Sequence, residues 1–360
     1  MKNFVFPFTL LLICLFTTAQ EPTKRPQEPT LPYPYLSEDI TFPTAQGTLT
    51  LAGTLTLPTD RTDFPIVILI SGSSPHNRDE EIAGHKPFLV LADHLTRNGI
   101  GVLRYDDRGV GGSTGTYEIA AYEDRAIDVE SAMAYLKTRK DLNNPEIGLI
   151  GHSEGGLIAP IVASRSTEVA FITLLAAPGI PGYDMILLQT ALGNKAQGIG
   201  ESETQKELAF LKGIFDEVIS SADLAKSKSE LSNSLKEQPD QLPNGITADN
   251  IDAILQTFTS SWFYRILTYD PADVLEKVNC PVLALNGSKD LQIPAKENLA
   301  AIRAALQRAS NEEAITKELP HHNHLFQEAQ TGLEDEFEII SQTISLSVLQ
   351  EITSWIHSIK

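Results

Sequence analysis

The sequence predicts an α/β domain: a mostly parallel sheet flanked by helices, with a helical segment inserted between two of its strands. Three observations carry this. Short continuous apolar runs of strand length alternate with segments of helical spacing, the pattern of parallel strands buried on both faces. The alternation stops from about 179 to about 273 and resumes immediately afterwards. One apolar run, Ile147 to Ile150, opens directly into Gly151-His152-Ser153-Glu154-Gly155-Gly156 and then into a helix-compatible stretch, Leu157 to Arg165.

Each element follows in chain order. Lys2, the mostly apolar Phe4 to Phe16 and the small residues Thr17-Thr18-Ala19 read as a signal peptide over 1–19, cleaved to leave Gln20. The apolar stretch is short for a bilayer span, and Leu12-Ile13 fit a lipoprotein site at Cys14 poorly, so no stable membrane anchor is expected. Residues 20–37, rich in Pro and polar groups, form an extended lead-in. Residues 38–57 alternate polar and apolar around Gly47 and Gly53, which predicts strands joined by tight turns. Ile66 to Ile70 is a buried strand ending in Ser71-Gly72-Ser73-Ser74. Phe88, Leu91, Ala92 and Leu95 place a helix over Pro87 to Arg97, with a short strand at Val102-Leu103 and a longer helix from Glu118 to Lys137.

The strand before Ser153 and its helix come next, then a strand at Ala170 to Leu175. In the inserted segment, Leu208, Leu211, Phe215, Val218 and Ile219 mark one amphipathic helix, and Ile251, Ile254, Leu255 and Phe258 another. The sheet resumes at Val282 to Asn286, a helix covers Ala295 to Leu306, a last strand covers Ala314 to Leu319, and a terminal helix covers Phe337 to Ile359. The core is therefore 38–178 and 274–360, with 179–273 inserted as a helical lid that shapes the pockets. Phe258, Trp262, Phe263 and Tyr264 are either pocket aromatics or, as the favoured reading, the insertion's own core.

Charge narrows the partners. The chain carries −19, or −20 once Lys2, the only charged residue in 1–19, is lost. Strong acidity with no basic cluster argues against nucleic acid and anionic lipid surfaces and leaves a small-molecule substrate. Without Cys14, Cys280 is the only cysteine, so no internal disulfide forms; its place before Pro281 and the run Val282 to Leu285 suggests a packing residue.

Gly-His-Ser-Glu-Gly matches G-x-S-x-G. A strand that turns abruptly into a helix lifts the corner side chain clear of the sheet, and Gly151 and Gly155 are needed where the two backbones crowd. Ser153 is thus the candidate nucleophile, with the N–H of Glu154 facing the oxyanion that attack creates. A serine needs a base, and the base an orienting acid. In a sheet of this order they must lie at the carboxyl ends of strands. Asp290 arrives there after the strand ending at Asn286, and His321, His322 and His324 after the strand ending near Leu319. The order along the chain is Ser, Asp, His. Asp270 and Asp273 precede their strand and lie at the wrong end, while Asp184 after the preceding strand is the alternative acid.

With these residues in place the sequence resembles the α/β-hydrolase superfamily, and more narrowly the secreted bacterial esterase-like serine hydrolases. The matching segments are Gly72-Ser73-Ser74-Pro75-His76-Asn77-Arg78-Asp79, with Ser74 where a glycine is usual, Asp107-Arg108-Gly109-Val110-Gly111-Gly112-Ser113, the Ser153 motif, Asn286-Gly287-Ser288-Lys289-Asp290, and Asn323-His324-Leu325-Phe326. They span most of the chain from about 40 onward, with the insertion weakly covered. The resemblance implies an α/β-hydrolase fold, His324 as the base ahead of His322 and His321, and Ser73 as the second oxyanion donor with Ser74 as its alternative. It makes the Asp107-Arg108-Gly109 loop a structural brace, not a nucleotide loop. Arg78 and Asp79 are expected to pair with each other and hold their loop. No cofactor is implied, and the histidine cluster lacks a scaffold that would aim three rings at one metal.

The expected activity is ester hydrolysis, secreted or periplasmic. A serine peptidase remains the rival, with Glu201, Glu203 and Glu207 of the insertion as groups to grip an amino terminus. A non-catalytic binding protein on the same fold is the rival from another class.

Overall fold

In the computed structural model, described over residues 25–359 apart from 46, 62 and 144, a single sheet organises the larger part of the chain. The segment read as a signal peptide lies outside the described residues. Eight strands are present: β1 (Leu36–Pro43), β2 (Thr50–Leu57), β3 (Ile66–Ile70), β4 (Gly101–Tyr105), β5 (Ile147–His152), β6 (Val169–Leu175), β7 (Val282–Gly287) and β8 (Ala314–Leu319). Their order across the sheet is β1-β2-β4-β3-β5-β6-β7-β8. β1 and β2 form an antiparallel hairpin and β2 runs antiparallel to β4. Every other neighbouring pair is parallel. The fold is thus a mostly parallel sheet flanked by helices.

The helices of this sheet unit are α1 (Pro87–Arg97), α2 (Tyr122–Thr138) and α3 (Gly155–Arg165). Between Pro181 and Asp270 lie α4 (Gly182–Ala196), α5 (Glu201–Ser220), α6 (Leu224–Lys236), α7 (Ile251–Phe258) and α8 (Ser261–Thr268). After them come α9 (Ala272–Leu275), α10 (Ala295–Arg308), α11 (Asp335–Ile339) and α12 (Leu346–Ser358).

Strand pleating distributes the apolar residues to the two faces. In β3, Ile66, Ile68 and Ile70 join Ala126, Val129 and Met133 of α2, Ile158 of α3 and Ile302 of α10. Val67 and Leu69 point the other way, into a cluster with Leu91 and Leu95 of α1 and Val348, Ile352 and Trp355 of α12. Each β3 side chain is essentially without solvent contact. At roughly 25 cal/mol per Å² of apolar surface, a side chain of this size contributes about 2 kcal/mol on burial.

The chain divides into two compact units. One is the sheet with its helices, from the first described residue to Ile180 and from Pro271 onward; the other is Pro181–Asp270. This second unit has its own core, in which Leu211, Ile214, Phe215 and Val218 of α5 meet Ile251, Leu255 and Phe258 of α7 and Phe263 of α8. The Phe258 and Phe263 rings lie 4.9 Å apart, with Trp262 and Tyr264 packed against the cluster from its margin. Side-chain caps mark two helix starts, Asp223 accepting from the N–H groups of Ala225 and Lys226, and Ser260 from that of Phe263.

Four expectations change. Gly53 is no turn: it lies inside β2, where an added Cβ would come within 2.7 Å of the Arg104 carbonyl oxygen of β4. α2 begins at Tyr122 instead of Glu118, capped by the Asp124 carboxylate accepting from the Ala121 N–H at 2.9 Å. The terminal helix is two helices, α11 and α12. The chain between them is held extended by the sheet unit: Gln327 donates to the Gln342 carbonyl at 2.9 Å, and the Ser345 N–H to the Phe326 carbonyl at 2.9 Å. Arg78 and Asp79 do not pair with each other. Successive side chains diverge, and each finds its own partner at the end of β4: Arg78 makes a two-pronged contact with Asp106 (3.0 and 2.8 Å), and Asp79 pairs with Arg104.

Cys280 is partly buried against the sheet core, and burial pushes its thiol pKa up to about 11, in keeping with a packing role. Among the described residues no helix is long and apolar enough to cross a membrane.

Candidate active site

Parallel strands bring their carboxyl ends to one edge of the sheet, and the segments following β3, β5, β7 and β8 therefore gather there. At the end of β5 the backbone turns so sharply that Ser153 takes φ 50°, a left-handed conformation that costs a non-glycine residue of order 1–3 kcal/mol. The crowding expected around it is present. A Cβ on Gly151 would fall 2.2 Å from the Gly155 carbonyl oxygen, and one on Gly155 would fall 2.2 Å from that of Ile70. The corner is fixed by the Ser153 N–H donating to the Leu175 carbonyl at 2.8 Å.

Asp290 follows β7 and His324 follows β8, and the two meet: His324 Nδ1 lies 2.8 Å from Asp290 Oδ2, with both residues buried. A carboxylate can only accept here, so Nδ1 carries the proton and Nε2 keeps its lone pair. The other oxygen of Asp290 accepts from the N–H groups of Gln292 (2.9 Å) and Ile293 (2.8 Å), which fixes the carboxylate plane. Asn323 braces the histidine loop, its Oδ1 accepting from the N–H groups of Leu325 (3.1 Å) and Gln327 (2.9 Å). The His324 ring packs 4.8 Å from that of His152, the residue before Ser153. In the resting arrangement Ser153 Oγ has no hydrogen-bond partner among the described residues.

The other histidines of the cluster go elsewhere. His321 is exposed with φ 66°, as a solvated loop residue should be. His322 is not solvated: it is buried, its Nδ1 meets the Pro320 carbonyl at 2.7 Å, and its Nε2 has no partner among the described residues. Asp184 belongs to the first turn of α4, in the helical unit.

The loop after β3 lies against the serine. A Cβ on Gly72 would sit 3.3 Å from that of Ser153. Ser74, where a glycine is usual, keeps the glycine-like backbone at φ 79°. The Gly72 N–H is taken up by Glu80 Oε1 at 2.7 Å, whereas the N–H groups of Ser73 and Glu154 meet no acceptor among the described residues. Glu154 opens α3, so the positive end of the helix dipole adds to its N–H.

Beneath this edge lie two buried networks that the local sequence pattern does not predict. In the first, Arg125 of α2 donates to Glu154 Oε1 (2.5 Å), to the Ser71 carbonyl (2.8 Å) and to Ser71 Oγ (3.1 Å). Ser71 Oγ in turn donates to Asp107 at 2.9 Å, whose carboxylate also accepts the His76 N–H at 3.0 Å. Burial works against the Arg125 charge, but Asp107, Tyr117 and Glu154 around it hold its pKa above the ordinary value. Burial raises Asp107, against the pull of Arg125. Arg108 is anchored by Asp128 at 2.5 Å, so the Asp107-Arg108-Gly109 segment braces the edge from below.

The second network joins Glu80 and His152. Glu80 Oε1 lies 2.9 Å from His152 Nδ1, and His152 Nε2 lies 3.1 Å from the His324 carbonyl oxygen. The sequence did carry a trace of both networks. Glu80 directly follows the Arg78-Asp79 motif, and Arg125 and His152 are polar residues in segments whose neighbours are core, but nothing local says which partners await them.

Comparison with known proteins follows the same outline. The family model described as alpha/beta hydrolase fold matches residues 65–329. Among curated proteins, the chain is similar to Esterase EstD of Thermotoga maritima, 26% identical over 253 residues. That match takes in 69% of this chain and 52% of the relative, so the chain spans about half the length of the curated relative it matches. Among solved structures it is similar to the esterase Pf2001 of Pyrococcus furiosus, with a TM-score of 0.55 and 14% identity, covering 90% of this chain and 91% of that one. It is also similar to the alpha/beta hydrolase GrgF of Penicillium sp. sh18, with a TM-score of 0.55 and 19% identity, covering 90% of this chain and 99% of that one. At these identities the structural likeness speaks for the fold.

Proposed function

The chain belongs to the α/β-hydrolase family, and from that premise we propose that it is a serine hydrolase that cleaves carboxylic esters through an acyl-enzyme, with Ser153 as nucleophile, His324 as base and Asp290 as the orienting acid. The observation that carries this reading is the buried 2.8 Å contact between His324 Nδ1 and Asp290 beside a serine strained to φ 50° at a strand–helix corner. The esterase activity of a relative points the same way, as does the pattern of unengaged N–H groups.

In this scheme the substrate carbonyl enters above Ser153, and the Ser153–His324 hydrogen bond absent at rest is drawn in with it. His324 Nε2 takes the hydroxyl proton as Oγ attacks the carbonyl carbon, and Asp290 stabilises the imidazolium that forms without itself taking the proton. The oxyanion of the tetrahedral intermediate receives the N–H groups of Ser73 and Glu154; loss of one such donor typically lowers kcat by about 10²–10³-fold. Collapse expels the alcohol, which receives the proton from His324. Water, activated by the same ring, then attacks the acyl group and frees Ser153. Among the described residues no group of three or more His, Cys, Asp or Glu is arranged to hold a metal ion, and no step in this scheme calls for one.

Ester over peptide substrates is favoured by the fate of two of the three candidate acidic residues in the helical unit, while Glu201 stays exposed and accepts from Gln205 Nε2 at 2.8 Å. Glu207 is buried on Asn194 Nδ2 at 2.6 Å, and Glu203 accepts the Asn244 N–H at 2.7 Å, so both are committed within that unit. A comparison of p-nitrophenyl esters of increasing acyl length with aminoacyl-anilides tests this. Turnover of the esters with little or none of the anilides is expected; the reverse preference would replace the reading with a peptidase.

The reading includes export. The Lys2 start, the apolar run and Thr17-Thr18-Ala19 support cleavage to Gln20 and a secreted or periplasmic enzyme. Mass spectrometry of the protein after expression of the full chain in a bacterium checks this: the expected product begins at Gln20 and lies outside the cytoplasm.

A further inference from the structure

Glu80 is a buried carboxylate in an expensive position. Its backbone takes φ 50°, its side chain is almost without solvent contact, and Oε2 has no hydrogen-bond partner among the described residues. A small apolar-walled cavity lined by Phe88, Leu91, His152 and Leu325 also borders it. An unpaired buried carboxylate oxygen loses its hydration without replacement, so the arrangement calls for a compensating contact. All of the carboxylate's bonding is concentrated in Oε1, which accepts the Gly72 N–H at 2.7 Å and faces His152 Nδ1 at 2.9 Å.

The two partners of His152 settle its protonation. Nδ1 faces a carboxylate and Nε2 faces the His324 carbonyl at 3.1 Å, and both partners are acceptors. A neutral ring has one N–H and would leave one contact without a proton; an imidazolium satisfies both. Burial opposes the charge, yet the Glu80 carboxylate by charge and hydrogen bond, the His324 carbonyl and Asp290 together raise the His152 pKa. Burial likewise opposes the charge on Glu80, while His152, His76 and the Gly72 N–H lower its pKa. The ionisable groups facing the pair are thus Asp290, His324 and His76, and the ion pair is the state they favour.

We propose that Glu80 and His152 form a buried positioning pair, a continuous hydrogen-bonded bridge from the Gly72 amide to the His324 carbonyl that keeps the oxyanion loop and the catalytic histidine in register across the nucleophile. The bridge passes through the residue directly before Ser153, so it touches three of the four segments of the site, those after β3, β5 and β8. Fixing the Gly72 amide on Glu80 leaves the Ser73 amide as the next donor along the loop. Fixing the His324 carbonyl holds the backbone from which the base projects. Catalytic geometry must be kept to within about 0.5 Å, and such supporting contacts are what keep it there. The proposal rests on the Ser-His-Asp reading, and neither residue of the pair touches the reacting atoms in it.

The test has two arms. In the first, ring-¹⁵N-labelled histidine is followed by NMR in the wild-type protein, with His152 assigned among the eight histidines by His152→Asn. Doubly protonated His152 at about pH 8, above the ordinary titration of histidine, is expected. A singly protonated, neutral ring there would overturn the proposal whatever the activity. In the second, Glu80→Gln keeps the shape and removes the charge. kcat is expected to fall by about 10–100-fold with KM changed less than about threefold, because register matters most in the transition state. A Glu80→Gln protein that melts like the wild type and retains full kcat would also overturn it. If Glu80→Gln does not fold, the NMR arm on the wild type decides alone. Labelling of wild-type Ser153 by a fluorophosphonate is run alongside. An unreactive serine would remove the esterase reading, while the protonation of His152 would still decide the pair.

Discussion

Ser153, Asp290 and His324 are separated by 34 residues at the closest along the chain, yet a single 2.8 Å contact already unites the last two. Asp290→Asn keeps that contact's shape but lets the histidine settle in the wrong tautomer. A fall in kcat of about 10³–10⁴-fold is expected in steady-state ester hydrolysis, with little change in unfolding midpoint. Arg125 makes the opposite prediction. Arg125→Met strips the countercharge from Glu154 and Asp107 together, and removing one member of a buried ionic group costs about 3–5 kcal/mol. Urea denaturation should therefore show a large loss of stability.

The Glu80–His152 pair adds a pH signature. His152 is raised, so its contribution is complete below about pH 6.5 and is lost as pH climbs through the folded value. Glu80 is lowered, so its contribution is complete above about pH 4.5 and is lost as pH falls through the folded value. The stability gap between wild type and Glu80→Gln should thus be widest at about pH 5.5 and narrower at about pH 9 in denaturant titrations. At this scale the candidate serine, aspartate and histidine are legible in the sequence, because the serine motif and the strand ends are local features. It could not disclose Arg125, Glu80 or His152 as partners. A buried charge is legible only through the residues it meets, and those lie 29 and 72 positions away.

Among the elements, the strand–turn–helix around Ser153 is the most constrained. Gly155→Ala would push a methyl group into the Ile70 carbonyl, and the strand–helix corner would have to open. Loss of fluorophosphonate reactivity at Ser153 is expected even if the protein still folds. In the helical unit, Phe215 packs edge-on against Tyr183 and Phe258 and tilted against Phe263, at ring separations of 5.6 to 5.9 Å. Phe215→Ala should cost about 3–5 kcal/mol of local stability. Hydrogen exchange should quicken in α5, α7 and α8 and leave β3 and β5 unchanged. The strands and α1 were legible because continuous apolar runs and helical spacing report burial directly. The interruption between α11 and α12 was not. Its apolar residues keep a helical rhythm, but the Gln327 and Phe326 contacts that pull Gln342 and Ser345 out of a helix come from a distant loop. Gly53 misled for a related reason, since a glycine that admits a neighbouring strand looks the same in sequence as one that makes a turn.

For the whole molecule, a mostly parallel sheet whose strand ends gather their following loops explains why residues from four separate segments arrive at one edge. The family membership and the sheet order make the same statement at this scale. The net charge of −19 belongs here too: it supports solubility, and it gives anionic substrates no long-range attraction. Neutral esters should accordingly show rates that vary little with ionic strength. The measurement that bears most directly on the mechanism is acyl transfer to a single serine. The protein is mixed with a p-nitrophenyl ester and quenched, and the acylated peptide is identified by mass spectrometry, with Ser153→Ala run in parallel. An acyl group on Ser153, together with abolished turnover in a normally folded Ser153→Ala protein, is the expected result. Ester turnover at the wild-type rate in Ser153→Ala would contradict it.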